Sequence, residues 1–104
     1  MSLTSKQIRN LRAEAHRLKL KPVVMIGQNG LSENVINELE QGLAHHELLK
    51  VRIPAADKSA KQELITTICE RVQATEVQAI GHVIVLFRKN PKSTRFDKLL
   101  KAQS

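Results

Sequence analysis

"PVVMIGQNGLSENVINELEQGLAHHELLKVRI", residues 22–53, joins two kinds of apolar pattern across a pair of glycines. Residues 22–26 read as a short buried strand. Gly27-Gln28-Asn29-Gly30 interrupts it. Ser32 is then placed to cap a helix, with Glu33 in its first turn. Val35, Ile36, Leu39 and Leu43 recur at helical spacing and predict its buried face. Glu33, Asn37 and Glu40 fall opposite, an acidic face expected to point away from any polyanion. Leu49, Val51 and Ile53 alternate with Lys50 and Arg52, a half-buried strand that Pro54 stops. Strand, loop, helix and strand within so few residues make this an α/β chain.

On the N-terminal side, Thr4 and Gln7 form a capping box, with Leu3 and Ile8 as its hydrophobic staple. Ile8, Leu11, Ala15 and Leu18 are expected in the core of this first helix, which Pro22 should end. Arg9, Arg12, His16 and Lys19 keep the same spacing one residue on, a second stripe roughly 100° round the helix. It is either a solvated face or a basic rail beside the buried stripe.

On the C-terminal side, Asp57 or Ser59 caps a third helix facing inward with Leu64, Ile65, Ile68, Cys69 and Val72. EVQAI, residues 76–80, is a strand. Gly81-His82 fits a two-residue turn, so VIVLFR, residues 83–88, folds back as its hairpin partner. Residues 83–87 are apolar throughout, which puts this strand inside the sheet and not at an edge. The expected order is α-β-α-β-α-β-β, a single α/β domain with a four-stranded mixed sheet and helices packed on it. The domain is expected over residues 1–88, followed by a basic C-terminal tail, 89–104, either loose or folded by a partner.

The 104 residues suffice for one modest core and not for two. No apolar run is long enough to cross a bilayer, and MSLTSKQIRN has no apolar signal region, so a cytoplasmic protein is expected. One cysteine leaves no internal disulfide. The net charge of +7 is uneven. Residues 1–21 hold six Lys/Arg against one acid, and residues 88–104 hold the same. The stretch between has five bases and eight acids. Two basic ends on a slightly acidic body suggest a polyanionic partner.

Catalytic constellations are missing. His45 and His46 are adjacent, so on a helix they diverge by about 100° and do not form a metal pair. Cys69 falls on an apolar helix face and reads as a small core residue. Gly30 is followed by Leu31-Ser32, which is neither a P-loop nor a dinucleotide fingerprint. No enzyme, cofactor or metal site is expected. The glycine loop is either a turn feeding a helix or a place where a phosphate backbone lies against the chain, close to unpaired N–H groups at a helix start. With Phe87 and Phe96 as its only aromatic residues, the chain has no platform for stacking bases. Nucleic acid would be held by backbone charge and shape. A DNA-binding, chromatin-type protein and a protein-interaction module with acidic partners remain open at this point.

Several separated segments also carry a resemblance. KPVVMIGQNGLSENVINELEQGLAHHELLKVRI (residues 21–53), QAIGHVIVLFR (78–88) and the SKQIRNLRAEAHRLKLKPV opening (5–23) resemble the CRM domain (chloroplast RNA splicing and ribosome maturation) in its stand-alone bacterial YhbY form. The likeness spans residues 4–88. It implies an RNA-binding fold similar to the C-terminal domain of translation initiation factor three. It further implies association with ribosomal RNA in large-subunit precursors; a monomer is expected. The residues carried over are the loop Gly27, Gln28, Asn29 and Gly30, with Arg9, Arg12, His16, Lys19 and Lys21 beside it. Many relatives have a basic residue in this loop; Gln28 and Asn29 donate hydrogen bonds but add no charge.

Overall fold

The computed structural model of the chain describes residues 3–27, 30–54, 57–90 and Phe96. Along it run α1 (Ser5–Arg17), β1 (Val24–Met25), α2 (Glu33–His46), β2 (Leu48–Arg52), α3 (Lys58–Val72), β3 (Thr75–Ile80) and β4 (Val83–Phe87). This is the expected element order. The sheet order is β1-β2-β4-β3. β1 pairs parallel with β2, while β4 runs antiparallel to both neighbours, so the sheet is mixed. The wholly apolar β4 is interior, between β2 and β3, and from Ile84 to Phe87 it is buried on both faces, while Val83 at its start is half-buried.

Alternation along the strands divides the core in two. Leu49, Val51, Ile84 and Leu86 point to one face and pack with Leu39 and Leu43 of α2 and Ile65, Ile68 and Val72 of α3. Leu48, Val85 and Phe87 point to the other face and meet Leu11 and Ala15 of α1. Phe96 joins this second cluster, edge-on to Phe87 with ring centroids 5.7 Å apart. One helix therefore covers one face, and two cover the other.

Local signals set most boundaries. Thr4 and Gln7 form the capping box, Ser32 Oγ accepts from the Val35 N–H, and Asp57, not Ser59, caps α3 through the Ala60 N–H. Gly81, at φ +57°, makes the two-residue turn between β3 and β4. Glu47 ends α2 at φ +62° and is buried; its carboxylate accepts from the Asn90 N–H at 2.9 Å.

Three expectations need correcting. α1 ends at Arg17, well before Pro22. Lys19 takes the left-handed position that usually suits glycine (φ +52°), and the Leu20 N–H reaches back to the Ala15 carbonyl, a Schellman-type stop. Leu18 is consequently the cap residue and lies 43% exposed instead of in the core. The 22–26 segment is not buried throughout. Val24 and Ile26 are buried, whereas Val23 and Met25 are 60% and 66% exposed. β1 is an edge strand, and α1 does not reach across its second face. Finally, Glu40 is not on a free wet face, because it is ion-paired to Arg88 at 2.9 Å.

Candidate functional site

The 27–30 loop leaves β1 at the sheet edge, where the Ile26 N–H donates to the Arg52 carbonyl at 2.8 Å. The Gly30 N–H closes back on the Gly27 carbonyl at 3.0 Å, forming a tight turn. Its two glycines are not equivalent. Gly30 sits at φ +79°, where an L side chain is strained, so the turn itself accounts for it. Gly27 is outside the left-handed region, and a Cβ built on it meets nothing within 4 Å. Neither dihedral nor packing within the described residues demands a glycine there. Gln28 and Asn29 lie outside the described residues. Beyond Gly30, Ser32 Oγ accepts from the Val35 N–H, and the backbone N–H groups of Glu33 and Asn34 open α2 ahead of its first intrahelical donor, the Ile36 N–H that reaches the Ser32 carbonyl.

α1 lies across one end of the second sheet face. Leu3 lies near Thr75 and Phe87 at one corner, and Leu20 lies near Val23 and Leu48 at the other. The edge of the helix facing the open part of the sheet carries Arg9, Arg12 and His16. They line a groove of about 430 Å³ together with Lys50, Gln78 and Ile80. The Arg12 Nη2 donates to the Val77 carbonyl at 3.4 Å, which holds the guanidinium at the rim. The structure thus brings Arg9, Arg12 and His16 together. Lys19 and Lys21 are exposed but lie past the helix end, where the left-handed turn takes them off the stripe. Lys21 lines a separate hollow with Leu20, Val23 and Phe96.

Not every base in the two basic ends is available. The Arg17 Nε donates to Glu14 Oε1 at 2.9 Å, and a second contact joins Nη2 to Oε2. That pairing holds the Glu14 carboxyl below the usual carboxylate range. Arg88 is a clamp: Nη1 donates to Glu40 Oε2 and the Val72 carbonyl, each at 2.9 Å, and Nη2 to the Glu40 carbonyl at 3.3 Å. Conversely, Lys50 and Arg52 emerge from the acidic middle of the chain onto the α1 side of the sheet. Strand alternation puts them opposite Leu49, Val51 and Ile53, but only the position of α1 shows that this face is open beside them.

Cys69 is half-buried against the α2–α3 core, and burial, with the nearby Glu76 charge adding to it, pushes its thiol up to about 11. At pH 8 about one molecule in a thousand then carries a thiolate. Labelling with dithionitrobenzoate at pH 8 is expected to be slow in the folded chain and complete within minutes in guanidinium. Fast labelling of folded protein would mean an accessible, activated thiol instead of a core residue.

The description of the CRS1/YhbY (CRM) domain family matches residues 3–88. A Haemophilus influenzae protein named "RNA-binding protein" is 45% identical over 92 residues, covering 88% of this chain and 91% of that one. A Bacillus subtilis protein named as a "Probable RNA-binding protein" is 30% identical over 95 residues, 91% of this chain and 97% of its own. A solution structure from Staphylococcus aureus, of a protein described as a candidate RNA-binding protein, superposes with a TM-score of 0.77 at 36% identity. It covers 88% of this chain and 94% of the other.

Proposed function

The chain belongs to the CRS1/YhbY (CRM) domain family, and from that premise we propose that it is an RNA-binding protein without catalytic activity. Its site is the 27–30 loop (Gly27, Gln28, Asn29, Gly30) with the basic edge of α1 (Arg9, Arg12, His16) and the adjoining Lys19 and Lys21. The observation that carries this is Gly27. The turn explains Gly30, but nothing among the described residues requires Gly27, and an absent side chain there leaves the backbone open to a phosphate. The start of α2 behind the loop adds N–H groups and the positive end of a helix dipole. Names given to the relatives support RNA over DNA or an acidic protein. The family resemblance further supports ribosomal RNA in large-subunit precursors as the target; a cytoplasmic location and action as a monomer complete the proposal. On the same reading, residues 1–88 form the binding domain and 89–104 a basic tail that adds long-range attraction.

Fluorescence anisotropy with labelled ribosomal RNA fragments tests this proposal. Log affinity should fall linearly with log salt. Arg9→Ala and Arg12→Ala should each flatten the slope by about 0.7, the share of one single-strand phosphate contact. A slope unchanged in both variants would remove α1 from the interface. Equal competition by DNA of the same sequence, or retention by an acidic protein column with no RNA affinity, would favour the other partner classes. Co-sedimentation of the tagged protein with large-subunit precursors, lost in Gly27→Glu, tests the ribosomal part.

A further inference from the structure

α1 covers only part of its sheet face. Beyond it the sheet is open, and this open half is both apolar and basic. Among the described residues, four large apolar side chains are exposed, and three of them, Val23, Met25 and Ile80, stand on this face. Strand register joins them into one surface: Met25 is beside Arg52, Arg52 beside Val83, and Val83 beside Ile80. A second hollow of about 230 Å³ runs over Lys50, Gln78 and Val83 next to the α1 groove. The two hollows are lined by Arg9, Arg12 and Lys50 and by no carboxylate. Met25 is also two residues before Gly27, so the surface runs directly into the glycine loop.

We infer that this open half of the sheet takes a single-stranded RNA segment, with unpaired bases lying on Met25, Val83 and Ile80 and phosphates held by Arg9, Lys50 and Arg52. The inference rests on the RNA-binding function proposed above and adds to it the strand state of the ligand and a floor that contacts bases. Charge complementarity selects the occupant. A purely apolar peptide would leave three cations without counter-charge, and an acidic peptide would leave the apolar floor unused. A single strand carries both an anionic backbone and flat apolar rings on the same side. A-form duplex keeps its base faces stacked inside and offers such a floor only its backbone, 2′-hydroxyls and base edges. The floor is aliphatic, so the contact is tolerant of base identity: a ring covers Met or Ile without hydrogen-bond readout.

The test uses labelled twelve-nucleotide oligouridylate, oligoadenylate and the duplex they form, at one salt concentration and then across a salt series. The unmodified chain should bind either single strand roughly tenfold tighter than the duplex. The double variant Met25→Ser/Ile80→Ser should lose roughly fivefold to twentyfold for the single strands while the salt slope and duplex affinity stay the same. Both side chains are more than 60% exposed, so the thermal midpoint should hold and mark the loss as one of contact. Arg52→Gln should instead flatten the slope. Single-strand affinity equal to the parent's in the double variant overturns the inference, as does a preference for duplex. A parent that sediments as a dimer and a double variant that is monomeric with unchanged RNA affinity would make the face a contact between copies, and overturn it too. In all three cases a loss in Gly27→Glu would leave the RNA-binding function standing; no RNA affinity in the parent would remove both.

Discussion

Gly27→Glu is expected to weaken RNA binding by tenfold or more while the protein melts within a few degrees of the parent. Among the described residues the fold has no stake in the missing side chain: the position is exposed, outside the left-handed region, and has no described neighbour within 4 Å of a built Cβ. A phosphate at the loop would meet the new carboxylate. Two unit charges 4 Å apart repel by about 1 kcal/mol in bulk water and about 4 kcal/mol at the dielectric of a protein surface. Each 1.4 kcal/mol is about tenfold in affinity. Gly27→Ala sharpens the test. A compatible glycine replaced by alanine stabilises by about 0.4–1 kcal/mol through the unfolded chain. This variant should therefore melt slightly higher yet bind more weakly, because its methyl holds the RNA backbone away. Gly30→Glu is a poorer probe, since its φ of +79° adds strain of about 1–3 kcal/mol. Isothermal melting-independent affinities at several salt concentrations, with melting curves beside them, decide the matter. Parent-like binding by a folded Gly27→Glu would reduce the loop to a turn.

Arg88→Ala should do the reverse, damaging the fold and sparing the interface. The guanidinium ties the end of β4 to two helices at once, through the Glu40 carboxylate, the Glu40 carbonyl and the carbonyl of Val72, the last residue of α3. Hydrogen bonds to a charged group contribute about 1.5–3 kcal/mol each when partly buried, but they are not additive, and the Arg88 and Glu40 side chains keep 25% and 44% exposure. A loss of about 2–3 kcal/mol is expected, roughly 8–20 °C in midpoint for a domain of this size. RNA affinity measured well below that midpoint, and its salt slope, should match the parent. A flattened slope with unchanged stability would instead make Arg88 a phosphate contact.

The contrast between these two residues marks where the sequence is legible. Capping boxes, alternation and turn glycines are local: Thr4 with Gln7, Ser32 with Val35, and Gly81 at its hairpin all act within four residues. Their physics is complete in a short window, so the element order and the interior place of β4 follow from the chain itself. The glycine pair was visible too, but not that its members differ, because the difference is a dihedral at Gly30 and empty space around Gly27. Charge was misleading where it depends on partners. Arg88 counted toward the basic C-terminal end and is committed to Glu40, whereas Lys50 and Arg52 counted toward an acidic body and stand on an open basic face. Leu18 was expected inside, but a left-handed Lys19 ended the helix first.

By itself, then, the sequence determined the elements, most of their caps, the mixed α/β class and the glycine loop, since each rests on contacts between near neighbours or on simple periodicity. Tertiary structure alone decided which bases are free, which glycine the fold does not require, and which half of the sheet stays uncovered. Those depend on where α1 crosses the sheet and on which distant backbone carbonyls reach a guanidinium, as in the 48-residue separation between Arg88 and Glu40. No local pattern encodes a contact of that span; it exists only once the core has brought the helices together.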